Sequence, residues 1–216
     1  MLLNLKETSD RKIYISSDLH LGHQKNFVWE ARKFTSVEAH DEGVIGRIND
    51  IVRPNDILIL LGDFCLNTPL SKFNEYLSRI LCGNIYMLFG NHPNPHYKEV
   101  YRPLVKQVLG DNYTDQSEVF PLRYRNVVYY GHYLEVSLNG QFAVLCHYAI
   151  SSWNNMVSGA WMLHGHEHST ILNHSPSGRD GKILDVGMDG HNCTPWAYEE
   201  LKQVMDQKSI ISVGHH

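Results

Sequence analysis

Asp18-Leu19-His20 sets a carboxylate and an imidazole two residues apart just past a β-rich run, and on extended chain alternate side chains share a face. Such a pair can grip one metal ion. Asp63 follows Gly62 at the end of a second apolar run, where glycine permits a sharp turn that carries the carboxylate beyond a sheet edge. Asn91 and His92 follow Gly90 at the end of a third. Later, His147 closes another strand pattern, and His166-Glu167-His168 follows Gly165, with His164 two residues earlier at the same spacing. Each has a bland reading taken singly, since a lone Gly-Asp makes an Asx-turn and a lone core histidine is usually just hydrogen-bonded. Their recurrence at successive strand ends points to a site. Open α/β sheets place ligands there, and independent turns would not all choose Asp, His or Asn. Mixed imidazole, carboxylate and amide donors suit borderline divalent ions such as Mn, Fe, Zn or Ni better than Mg.

Positioning these residues requires strands that stop together. KIYIS (12–16), DILILLGDF (56–64) and NIYMLFGNH (84–92) read as buried strands, and the segments between them carry helical patterns. Thr35-x-x-Glu38 reads as a capping box before Val44, Ile45, Ile48, Ile51 and Val52, with Pro54 stopping that helix. A second helix is expected from Thr68-Pro69, with Leu70, Phe73, Leu77, Ile80 and Leu81 as its stripe and Gly83 past its end. The first half is thus βαβαβ with parallel strands. In the second half, residues 133–148 read as a hairpin with Asn139-Gly140 in a type I′ turn, and WMLHG and KILDVGMD supply further strands. A last helix is expected from Thr194 as N-cap and Pro195 at its first position, burying Ala197, Leu201, Val204 and Met205. Residues from Pro93 to about Val108 read as an irregular helical excursion over the site.

The 216 residues are 43% hydrophobic and 19% charged, which fits one domain over residues 1–214 with a substantial core. His215 and His216 read as a tag remnant. A net charge of -4 excludes a broad basic face for duplex nucleic acid but leaves room for a local cationic site. No run approaches the roughly 20 apolar residues of a membrane span, and Cys65, Cys82, Cys146 and Cys193 form no CxxC pair. A cytoplasmic protein with reduced thiols, no membrane attachment and no obligate protein partner is the expectation.

Taken together and in order, DLH, GDF, GNH, a single later His and GHEH resemble the five motifs of the calcineurin-like metallophosphoesterase superfamily, over about residues 13–190. The resemblance implies an α/β class fold, a four-layer α/β/β/α sandwich of two mixed β-sheets flanked by helices. It implies two divalent metal ions, Mn favoured, with Asp18, His20 and His168 on one, Asn91, His147 and His166 on the other, and Asp63 bridging. Two ions about 4 Å apart clamp a phosphoryl group, so the implied reaction is in-line attack of a metal-bridging hydroxide on a phosphate ester, with His92 assisting the leaving group. Phosphodiesters are favoured, with nucleotides or nucleic acid among the candidate substrates. The alternatives are a phosphomonoesterase or nucleotidase of the same fold, and a non-catalytic metal-binding interaction module. Two departures matter: Pro93 stands where many relatives carry an acid, and GDFCLN is not the GDxxDRG of protein phosphatases, which places the chain nearer small bacterial and phage-type phosphoesterases. His23 and His191 read as residues that could face substrate, against solvated loop positions. Arg123 and Arg125 read as an exposed strand face, Asp185 and Asp189 as supporting or turn residues, and His164 as a strand-end neighbour of the two ligands.

Overall fold

The computed structural model describes residues 2–92, 97–169 and 181–210. The first half builds β2 (Ile13–Ser16), β3 (Ile57–Leu60) and β4 (Asn84–Met87) as adjacent parallel strands. Between them lie α1 (Asn26–Ala31), α2 (Val37–Ile51) and α3 (Leu70–Arg79). β6 (Val127–Tyr129) joins in parallel beside β4, and antiparallel β5 (Leu122–Tyr124) and β11 (Trp196–Ala197) close the edges, giving the order β11-β2-β3-β4-β6-β5. The second sheet runs β1-β7-β8-β9-β10, from β1 (Leu3–Leu5), β7 (Tyr133–Leu138), β8 (Gln141–Cys146), β9 (Trp161–His164) and β10 (Ile183–Asp185). Both sheets mix parallel and antiparallel pairs, and helices flank them, as the implied sandwich requires.

Period-two alternation explains the layers. Ile13, Ile15, Ile57 and Ile59 face Val136, Leu138, Leu145 and Leu163 across the inter-sheet core, which α5 (Tyr198–Asp206) closes with Tyr198, Leu201 and Met205. The alternate residues Leu58, Leu60, Ile85 and Met87 face α2 and α3 and, through Val105, α4 (Arg102–Leu109). The outer face of the second sheet packs Val144, Met162 and Ile183 against Phe142, Ile150 and Trp153. No helix among the described residues is long and apolar enough to cross a membrane.

Several boundaries differ from expectation, each for a local reason. Ser36, not Thr35, caps α2, its Oγ accepting the Ala39 N–H at 3.1 Å. α3 ends at Arg79, so Leu81 lies beyond the helix and is 59% exposed. The last helix starts at Tyr198, because Trp196 and Ala197 are held as strand against Ile15 and Tyr14 and Glu200 accepts the Ala197 N–H. Thr194 instead donates to the His191 carbonyl in the preceding turn. The hairpin turn is as expected, with φ of 52° at Asn139 and 91° at Gly140. Pro93 and the terminal histidines lie outside the described residues; Tyr97–Tyr101 form a wide helical turn leading into α4.

Candidate metal centre

β2 stops at Ser16, and the chain beyond it keeps company with the chain beyond β3: Gly62 O accepts from Asp18 N, Asp63 O from His20 N and Phe64 O from Leu21 N. On this stretch and on the 165–168 loop the backbone turns left-handed at five of the seven metal-type residues, with φ of 59° at Asp18, 53° at His20, 49° at Asp63, 72° at His166 and 52° at His168. Strand alternation therefore does not aim Asp18 with His20, nor His166 with His168, as the spacing suggested. Both pairs lie past the strand ends, and the left-handed backbone swings the side chains inward. L-residues rarely adopt this region, and its clustering at one place marks a locally strained site held by its surroundings. Gly165 and Gly90 make the approach feasible: a Cβ on Gly165 would run into Ser17 Oγ and Asp18 Oδ2, and one on Gly90 into the Asp63 carboxylate.

Asp63 sits at the middle. Its Oδ2 lies 3.5 Å from His147 Nε2, 3.8 Å from His92 Nε2 and 3.9 Å from His20 Nε2, while Oδ1 accepts the His92 N–H. On one side, Asp18 Oδ1 faces His20 Nε2 at 3.6 Å and His168 Nε2 at 3.9 Å. On the other, Asn91 Oδ1 lies 2.6 Å from His147 Nε2 and 2.9 Å from His166 Nδ1. Asp18-His20-His168, His20-Asp63-His92 and Asp18-Asp63-His147 each bring their donor atoms within 4.8 Å of one another.

These groups fit a cation. Asp18 Oδ1 is buried without a hydrogen-bond partner, and the His20 and His168 Nε2 atoms face each other at 3.2 Å. His147 Nδ1 lies 2.9 Å from the Leu61 carbonyl, which can only accept, so that nitrogen carries the proton and Nε2 faces Asn91 and Asp63 oxygens. Convergent lone pairs of this kind are what a divalent ion satisfies. The electrostatics agree. Burial raises the Asp63 carboxyl to about 6, helped by the Asp18 charge and opposed by His147. Burial acts the same way on Asp18, yet the neighbouring His20, His147 and His168 imidazoles hold it below the ordinary carboxylate range. Burial pushes His20 down to about 4 and also lowers His92, whose ring is 40% exposed.

Behind His168 lies a layer that sequence patterns show only in part. Its Nδ1 meets Asp189 Oδ2 at 2.7 Å, and Asp189 in turn takes two bonds from Arg32. Burial depresses His168, but the bond to Asp189 and the Asp18 and Asp189 charges together outweigh it and the ring is raised overall. Asp189 was legible as a supporting residue from DVGMDG; Arg32, 157 residues away, carried no local signal. Asp185 serves the loop itself, accepting from Ser169 and Gly187 N–H groups. His164 is buried, with Nδ1 2.9 Å from the Gly165 carbonyl. His23 is not a solvated loop residue; it is buried edge-on against the His20 ring at 5.7 Å. The structure does not bring His191 to the cluster: it stacks on Trp196 at 3.9 Å and contacts Thr194 and Glu200. Arg123 and Arg125 are exposed at the β5 edge. A cleft opens beside His166 and His168, walled by Phe27, Lys33, Arg47 and Asn192.

An uncharacterized protein of Methanocaldococcus jannaschii, MJ1445, is 26% identical over 204 residues, covering 94% of this chain and 96% of its own. The gene 66 protein of Mycobacterium phage D29 is 25% identical over 201 residues, covering 90% and 96%. The crystal structure of a protein of unknown function, AQ665 from Aquifex aeolicus, superposes with a TM-score of 0.61 at 17% identity, over 90% of this chain and all of that one, and shares the fold. The family model of the calcineurin-like phosphoesterases matches residues 11–215, a span that takes in every strand end from which the cluster is assembled. On that match the chain belongs to the calcineurin-like phosphoesterase family, whose members are metal-dependent phosphoester hydrolases.

Proposed function

We propose that this chain hydrolyses phosphodiesters with two divalent ions, Mn favoured, held by Asp18, His20 and His168 on one side and Asn91, His147 and His166 on the other. The observation that carries the reading is the place of Asp63, whose one carboxylate oxygen lies within 3.9 Å of imidazoles from both sides. When bound, such ions supply Lewis acidity toward a phosphoryl oxygen and acidify water. The protein's own part is to hold seven donors in place and to offer His92, the most open imidazole beside Asp63, to the leaving-group oxygen. There its N–H donates a proton as the ester bond breaks. The cleft past His168 gives room for the rest of an ester, with Lys33 and Arg47 as cations for further phosphates, so nucleotides and nucleic acid are the first substrates to screen. Four buried free cysteines support a reducing, cytoplasmic setting.

Bis- and mono-p-nitrophenyl phosphate, assayed across Mn²⁺ concentrations, test the diester preference. Turnover of the diester at the higher kcat/KM is expected, and turnover of the monoester alone would overturn it in favour of a phosphomonoesterase. His92→Ala should lose about 10²–10⁴ in rate on an alkyl diester, much less on p-nitrophenyl esters, and keep its metal content.

A further inference from the structure

Arg32 follows the short helix α1, and its side chain is 1% exposed. A guanidinium has five N–H donors, and each finds an acceptor here. Nε and Nη2 grip the Asp189 carboxylate at 2.9 and 2.7 Å. Nη2 also donates to Asp18 O at 2.7 Å, and Nη1 donates to Leu19 O and to His40 Nε2, both at 2.9 Å. His40 is itself fixed, its Nδ1 3.0 Å from Asp41 Oδ1, and Asp41 is held by the Gly22 N–H and the Tyr76 hydroxyl. A buried polar chain thus runs from α3 through α2 to the metal centre.

The acceptors of Arg32 are not scattered. Asp18 O and Leu19 O belong to the two peptide units that link Asp18 to His20, the stretch whose left-handed turns aim both side chains. Asp189 orients His168 through Nδ1, leaving its Nε2 toward His20. All three donors of one side therefore depend on one guanidinium. On the other side the rings have other supports, Leu61 O for His147, and Asn91 and His166 on each other; a tie between the sides, the His166 N–H to Asp18 Oδ2 at 2.8 Å, reaches the His166 backbone and not its ring.

We propose that Arg32 is the positioning residue of the Asp18-His20-His168 position, and that it sets the affinity of that position for its ion without setting that of the Asn91-His147-His166 position. The inference rests on the two-ion reading above. A lysine keeps the charge but has three donors and no planar fork, so it cannot replace the five bonds to Asp189, the two carbonyls and His40.

The test is calorimetric titration of metal-free protein with Mn²⁺, alongside thermal melting of the metal-free form. Wild type should take two ions per chain. In Arg32→Lys one of them should weaken by about 10- to 100-fold, as loss of ligand-orienting groups typically does, while the other holds. Asp189→Asn should weaken the same one and serves as the deciding variant if Arg32→Lys does not fold. Val136→Ala, a core change in the other sheet, should lower the melting temperature and leave both affinities alone. Equal weakening of both ions in Arg32→Lys and Asp189→Asn, or a melting change without an affinity change, overturns the proposal. A wild type that takes one ion overturns the two-ion reading instead; the role of Arg32 then stands if that ion weakens in Arg32→Lys and falls if it does not.

Discussion

Asp63 carries the least favourable charge in the centre: it is buried beside a second carboxylate, and burial pushes its acid up to about 6. An acid raised in the folded state destabilises the fold wherever it is ionised, that is, above about pH 6, and the penalty fades as pH falls from there toward its ordinary 3.8. Metal-free Asp63→Asn should therefore be more stable than metal-free wild type at pH 8, by on the order of 2 kcal/mol, and the gap should shrink only as pH falls below about 6, toward the ordinary 3.8. Urea denaturation at pH 8 and near the ordinary value of 3.8 measures it, and a variant no more stable at pH 8 would count against a strained carboxylate. The same variant should lose metal-dependent hydrolysis, because stability and ligation pull in opposite directions at this position. Residue types at strand ends were enough to single out Asp18, His20, Asp63, Asn91, His92, His147, His166 and His168, which the fold brings together; a preceding glycine marked Asp63, Asn91 and His166 but not Asp18 or His147. Arg32 was not legible, because a basic residue after a short helix has no pattern of its own; only folding brings it to Asp189.

At the scale of elements, strands could be read because short apolar runs end at turn residues, and β3, apolar throughout, sends alternate residues into the two cores. Loops could not, because their direction is set by backbone that sequence spacing does not encode. Asp18 and His20 are neighbours, as their spacing predicts, but left-handed backbone and not strand alternation brings them together. Similarly, Thr194-Pro195 carries every mark of a helix start, yet pairing of Trp196 with Ile15 wins over local propensity. Loop geometry also yields a test. Gly165→Ala would press a methyl into Ser17 Oγ and Asp18 Oδ2, and Asp18 would have to move. Overpacking of this kind costs roughly 1–3 kcal/mol. Chemical denaturation should show that loss, and metal analysis should show reduced content. Unchanged values for both would mean that the loop has slack the structure does not show.

For the whole molecule, a cluster of acids and imidazoles that fits ions but is strained without them links metal supply to stability. Binding at 100 times the dissociation constant adds about 2.7 kcal/mol. For a chain of this size each kcal/mol moves the melting temperature by about 2–4 °C, so saturating Mn²⁺ should raise it by on the order of 5–10 °C and a chelator should reverse the gain. Scanning fluorimetry with and without chelator checks this, and no shift would speak against ions in the folded chain. The two-residue strand β11 has a consequence of another kind. It covers the outer edge of β2, the strand that leads to Asp18, and α5 follows it directly. An uncovered strand edge is a template for pairing with other chains. β11 thus shields that edge, and a chain in which β11 and α5 peeled away would present the metal-bearing sheet to other chains before any candidate ligand was lost.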